Sequence, residues 1–133
     1  MPVPPAHGRV VELTVDATAP RHARDVVRSV LQQAELDGQV LDDCLLVATE
    51  LVDNAVLHGG SFVRLEVTPA AGCVEIAVQD GSSVLPVARA PGADGGRGLL
   101  ILNALAEWGV ESLPDGGKRV WARVAVPVPD GAG

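Results

Sequence analysis

Tyrosine is missing from this 133-residue chain, and aromatic residues make up only 2% of it: Phe62, Trp108 and Trp121. A surface that binds single-stranded nucleic acid by stacking bases needs more rings than that. Basic charge is scarce as well. Ten Lys and Arg stand against 17 Asp and Glu, for a net charge of -7, and Lys118 is the one lysine. Neutralising a phosphate backbone needs a basic face, so direct nucleic-acid binding is not expected. Cysteine is limited to Cys44 and Cys73, each inside an apolar run. Two isolated thiols cannot supply a four-ligand zinc site, and buried free thiols in a reducing compartment are expected instead. No apolar run approaches the roughly 18 residues of a membrane helix. Met1-Pro2-Val3-Pro4-Pro5 lacks the basic-then-apolar pattern of a signal peptide. A cytoplasmic location without membrane contact is expected.

What is present is a globular composition, 47% hydrophobic and 20% charged, with length for one domain and one core. Frayed ends are expected over residues 1–9 and 127–133, and a domain over 10–126. Alternating β-branched residues predict a strand over Val10–Asp16. Thr18-Ala19-Pro20 opens a helix whose stripe is Ala23, Val26, Val27, Val30, Leu31 and Ala34, and which runs to about Leu36 before Asp37-Gly38 stops it. A second helix spans Val40–His58, with Leu41, Cys44, Leu45, Ala48, Val52, Ala55 and Val56 facing the core. Strands over Phe62–Thr68 and Val74–Asp80 flank a turn at Pro69-Ala70-Ala71-Gly72. After a long Gly-, Pro- and Ser-rich loop over Gly81–Gly98, the helix Leu99–Ala106 is apolar nearly all round and so expected to be buried. Gly109–Leu113 and Lys118–Val126 form a last hairpin. This order predicts an α+β two-layer sandwich: a mixed, mostly antiparallel sheet with helices on one face.

Three segments carry possible chemistry. Glu50, Asn54 and His58 stand one turn apart along one edge of the second helix. A carboxylate and an amide so placed suit a general base and a ligand for a hard cation such as Mg²⁺, although the same spacing suits a solvated helix edge. Asp80-Gly81-Ser82-Ser83 ends an apolar strand on a carboxylate, which can accept from a ligand amine or simply start a turn. Gly95-Gly96-Arg97-Gly98 precedes an apolar helix, where glycine and unpaired N–H groups admit a phosphate, or where the chain simply hinges. It is neither a Walker P-loop nor a dinucleotide fingerprint. His7 and His22 share no metal spacing and are expected at the surface, as are Arg21, Arg24 and Arg28.

Taken together, these segments resemble the Bergerat-fold ATPase superfamily, which includes DNA gyrase, sensor histidine kinases and the anti-sigma-factor serine kinases. The likeness is greatest to the small stand-alone anti-sigma-factor-like kinases of bacteria. Glu50-Leu51-Val52-Asp53-Asn54-Ala55-Val56-Leu57-His58 is similar to their helix motif, and Asp80-Gly81-Ser82-Ser83 with Pro86 to their first ligand box. Gly96-Arg97-Gly98-Leu99 is similar to the second box, and Gly116-Gly117-Lys118-Arg119-Val120-Trp121 to the terminal hairpin. The resemblance implies ATP and Mg²⁺ as ligands. It makes Glu50 the catalytic carboxylate that activates the attacking hydroxyl, Asn54 the holder of Mg²⁺, and Asp80, with Gly81 beside it, the acceptor for the adenine amino group. Gly96, Arg97, Gly98 and Leu99 border the triphosphate, under a lid over 82–95. Ser82 and Val84 stand where the superfamily often has glycine, and Arg119 where it often has an adenine-contacting threonine. The function implied is that of a serine/threonine protein kinase acting as an anti-sigma factor, with a sigma factor and an anti-anti-sigma (STAS-type) protein as partners and a homodimer as a further possibility. The alternative is a non-catalytic nucleotide-binding or partner-sequestering module of the same fold.

Overall fold

The structure, a computed structural model, describes residues 8–58, 60–83 and 96–127, with the backbone alone for 96–99. Eight elements follow in the order β1 (Arg9–Leu13), α1 (Ala19–Gln33), α2 (Gln39–His58), β2 (Val63–Ala70), β3 (Cys73–Asp80), α3 (Gly96–Leu105), β4 (Glu107–Ser112) and β5 (Lys118–Ala125). The strands form one sheet in the order β1-β2-β3-β5-β4. Every ladder among the described residues is antiparallel, so the expected mixed sheet is an antiparallel one.

The period of two in the strands sorts the sheet into two faces. Val63, Leu65 and Val67 of β2, Val74, Ile76 and Val78 of β3, and Val120, Ala122 and Val124 of β5 are all buried. Opposed pairs such as Val67 with Ile76 and Val78 with Val120 carry this apolar layer across the strands. The helices cover it. The stripe of α1, Ala19, Ala23, Val26, Val27, Val30 and Leu31, is buried as its spacing predicts. On α2 the buried set is Val40, Cys44, Val47, Ala48, Leu51, Val52 and Ala55, while Leu41, Leu45 and Val56 pack partly buried at its margins. The apolar arc is wider than one face because α2 lies between α1 and α3 as well as on β3 and β5.

Four details depart from expectation. First, α1 ends at Gln33, before Asp37-Gly38. Glu35 takes the left-handed conformation at φ 58°. The Leu36 N–H then reaches back to the Leu31 carbonyl at 2.8 Å, a Schellman closure built without glycine. Second, Pro69 and Ala70 belong to β2, and only Ala71-Gly72 turns the chain, with Gly72 at φ 84°. Proline is tolerated there because the β1 ladder has already ended at Val67, so no neighbour needs the missing N–H. Third, α3 is not buried all round. Leu102 is in the core, but Leu100 is 69% exposed. Fourth, of the two free thiols Cys44 is buried as expected and Cys73 only partly. Burial, reinforced by Asp43, pushes the Cys44 thiol up to about 12. No helix among the described residues is long and apolar enough to cross a membrane.

Candidate functional site

Of the expected site residues, Glu50 and Asn54 stand on α2, and Asp80 ends β3. Glu50 and Asn54 lie half-buried on α2, beside the buried Leu51, Val52 and Ala55 that fix the helix on the sheet. His58 closes the helix, half-buried, and Gly60 follows at φ 73°. A side chain at Gly60 would stand 3.8 Å from the carbonyl carbon of Gly81, so the end of α2 abuts the turn that follows Asp80. Between Glu50 and Asn54 on the sequence, Asp53 is also half-buried, and that burial holds its carboxyl above the usual range while Arg24 opposes the shift.

Asp80 is the last residue of β3 and is 1% exposed. Its Oδ1 accepts the Ser82 N–H at 2.9 Å, so the turn-starting role of an Asp-Gly is realised. The same carboxylate also accepts twice from Lys118 Nζ, at 3.0 Å to Oδ1 and 2.9 Å to Oδ2. Lys118, equally buried at 1% exposed, opens β5 directly opposite Asp80 in the ladder. Gly117 makes this approach possible: a Cβ there would come within 2.3 Å of the Asp80 carbonyl oxygen.

Lys118 is the residue that sequence reasoning missed. Arg119, at the position where the resemblance puts an adenine-contacting threonine, points to the opposite face of the sheet. Its guanidinium donates to Glu66 and Glu75, each at 3.0 Å, with Glu111 at 3.8 Å. Burial lowers the Arg119 pKa, but its bonds to the two carboxylates outweigh that and raise it. The signal for Lys118 was its uniqueness as a lysine at the start of a strand, but only the β3–β5 register shows what it meets.

The second box is placed in part. Gly96, Arg97, Gly98 and Leu99 form the first turn of α3 rather than a loop before it. A helix start is a place where N–H groups can meet an anion. The lid expected over 82–95 lies, beyond Ser83, outside the described residues, as do Val84 and Pro86. A groove of about 430 Å³ lined by Cys73, Asn103, Glu107 and Arg123 sits at the far end of the sheet and contains none of the expected ligand residues.

Elements of this kind suit a nucleotide: a buried acceptor for a base, a helix start for phosphates, and a helix edge carrying an amide and a carboxylate. The histidine kinase-like ATPase domain family matches residues 13–124, and the chain belongs to that family. It is therefore an ATP-binding domain of the Bergerat type. Among the solved structures that share the fold are the following two. The RsbU and RsbW domains of Rv1364c from Mycobacterium tuberculosis align with a TM-score of 0.71 at 22% identity over 96% of this chain. This chain spans 34% of that one. The SiaB-SiaC complex from Pseudomonas aeruginosa aligns with a TM-score of 0.56 at 14% identity, over 89% of each chain. Among curated proteins none matches the sequence.

The donor set also fits a nucleotide-bound Mg²⁺. Asn54 offers one hard amide oxygen, and among the described residues no group of three or more His, Cys, Asp or Glu is placed to hold an ion unaided. A cation here would need phosphate oxygens to complete its shell, which is how Mg²⁺ is commonly bound.

Proposed function

We propose that this domain is a regulatory ATP-dependent serine/threonine protein kinase that acts as an anti-sigma factor on an anti-anti-sigma acceptor. The observation that carries the reading is the half-buried Glu50–Asn54 edge of α2, a helix whose C-terminal end abuts the turn after Asp80, in a domain of the ATPase family. In this reading residues 10–126 are the functional unit. Asp80 accepts from the adenine amino group, with Gly81 beside it. The α3 start, Gly96 to Leu99, donates N–H groups to the phosphates, and Asn54 would hold Mg²⁺, which would offset charge on the transferring group. Glu50 takes the proton of the acceptor hydroxyl as its oxygen bonds the γ-phosphorus and the bond to ADP breaks. Such chemistry depends mainly on positioning and charge stabilisation, with one oriented base.

A partner protein is supported by the company this fold keeps: SiaB is found with SiaC, and an RsbW domain shares a chain with RsbU. A STAS-type acceptor and a sigma factor are the partners proposed here, in a cytoplasmic setting, with a homodimer as one assembly. A second reading, a non-catalytic module that sequesters its partner, is favoured by one observation: Ser82 and Val84 stand where the superfamily often has glycine.

The test is Glu50→Gln, which keeps shape but cannot take a proton. ATP binding is expected to survive by calorimetry, while labelled-phosphate transfer to STAS-type acceptors falls roughly 10²–10⁴-fold, the worth of a general base. Transfer equal to wild type rejects Glu50 as the base. A wild type that binds a sigma factor yet transfers nothing supports the module.

A further inference from the structure

We propose that Lys118 is a second base-reading residue, and that Asp80 and Lys118 act as one donor–acceptor unit on the purine edge. The proposal rests on the nucleotide reading above and deepens it. A carboxylate has about four acceptor positions. Asp80 uses three of them, two for Lys118 and one for the Ser82 N–H. An ammonium has three protons, and among the described residues Lys118 gives two, both to Asp80. By this count one acceptor position and one proton remain at the junction of β3 and β5.

Adenine carries the complement of that pair. Its 6-amino group donates, and a ring nitrogen on either side of it accepts. A base that gives an amino proton to Asp80 brings a ring nitrogen towards the Lys118 ammonium. Lys118 then need not leave Asp80 for the base to bind. Its charge makes the contact stronger than a neutral donor would, and burial of the pair keeps water from competing. A lone Asp80 would read the amino group and nothing else. The flexible four-carbon stem of lysine lets the ammonium keep its carboxylate while turning its third proton to the ligand.

Analogues of ATP that lack one ring nitrogen test this directly. Either 1-deaza-ATP or 7-deaza-ATP is expected to bind the wild type roughly 10- to 100-fold more weakly than ATP, the worth of one hydrogen bond to a charged group. The penalty is expected to vanish in Asp80→Asn/Lys118→Met, which keeps an acceptor for the amino group and leaves no buried charge alone. A measurement on the wild type needs no variant. Because the chain has one lysine, ¹⁵N-lysine labelling yields one side-chain ammonium signal. That signal is expected to move when ATP binds and to stay near its free position when the penalised analogue binds at saturation. Equal affinities for all three nucleotides, an ammonium signal unmoved by bound ATP, or a penalty that persists in the double variant each overturns the role of Lys118 while leaving the ATP site intact. Failure of the wild type to bind any of the three overturns the nucleotide reading as well.

Discussion

Lys118 and Arg119 are neighbours on one strand and lead opposite lives. Lys118 faces the helices, fully buried, with one carboxylate for company. Arg119 faces away, 18% exposed, and spans Glu66 of β2, Glu75 of β3 and Glu111 of β4. Arg123 extends that lattice to Glu75 and Glu107. The outer face thus spreads its charge over many partial contacts, so losing one leaves others. The inner face commits two full charges to each other in an apolar layer, where desolvation costs each several kcal/mol and only the pairing offsets it. The inner pair is thus a costly arrangement inside an apolar layer, whereas the lattice reads as the polar cover of an open sheet.

The sharpest way to break the contrast is Lys118→Met. It leaves the Asp80 carboxylate without its counter-charge beside Val63, Val78 and Val120, and a loss of about 3–5 kcal/mol in unfolding free energy is expected. Denaturant titration checks it, and adding Asp80→Asn should restore most of the loss. If the single variant costs under 1 kcal/mol, the pair is wetter than its burial indicates.

Arg119→Ala should cost less, roughly 1 kcal/mol, in line with partly exposed ion pairs. Part of that cost should disappear when wild type and variant are compared in about 1 M salt, since exposed charges are then screened. A salt-independent cost would mean that the guanidinium acts through packing instead.

The smallest effect concerns acid. Burial raises the Glu66 carboxyl, but hydrogen bonds from Arg119 and Gln79 outweigh it and hold the net value below the usual 4.5. A lowered folded-state value adds stability above pH 4.5, and that stability is lost as pH falls through the folded value. Glu66→Gln should therefore flatten the acid limb of a stability–pH curve below about pH 4.5 and leave the neutral region nearly parallel to wild type. An unchanged acid limb would remove Glu66 from the linkage.

Much of this architecture was legible because it is periodic. The α1 stripe and the alternation in β2 and β3 encode which face is inner, and residue spacing alone placed Glu50 and Asn54 on one helix edge. What was not legible depends on neighbours far along the chain. Asp80 and Lys118 are 38 positions apart, and no local pattern states that β5 lies beside β3. For the same reason the apolar run of α3 reads as a buried helix: composition records what a segment can bury, not how much cover is available, and Leu100 finds little. At Glu35 the difficulty is different. Tertiary packing of Leu36 holds a non-glycine residue in a conformation that propensity assigns to glycine.

The shortage of rings turns the two indoles into built-in spectroscopic reporters. With no tyrosine in the chain, near-ultraviolet emission comes almost wholly from Trp108 and Trp121. Their environments differ in kind. Trp121 lies over Gly109 with the Arg123 guanidinium 4.5 Å from its ring centre. Trp108 gives its indole N–H to Asn103 at 2.8 Å, at the joint between α3 and β4. One dye watches the strand that starts with Lys118, and the other watches the helix that starts with Gly96. Replacing either leaves a single-colour readout of the other, so β5 and the α3–β4 joint can be followed separately in real time without attaching any label.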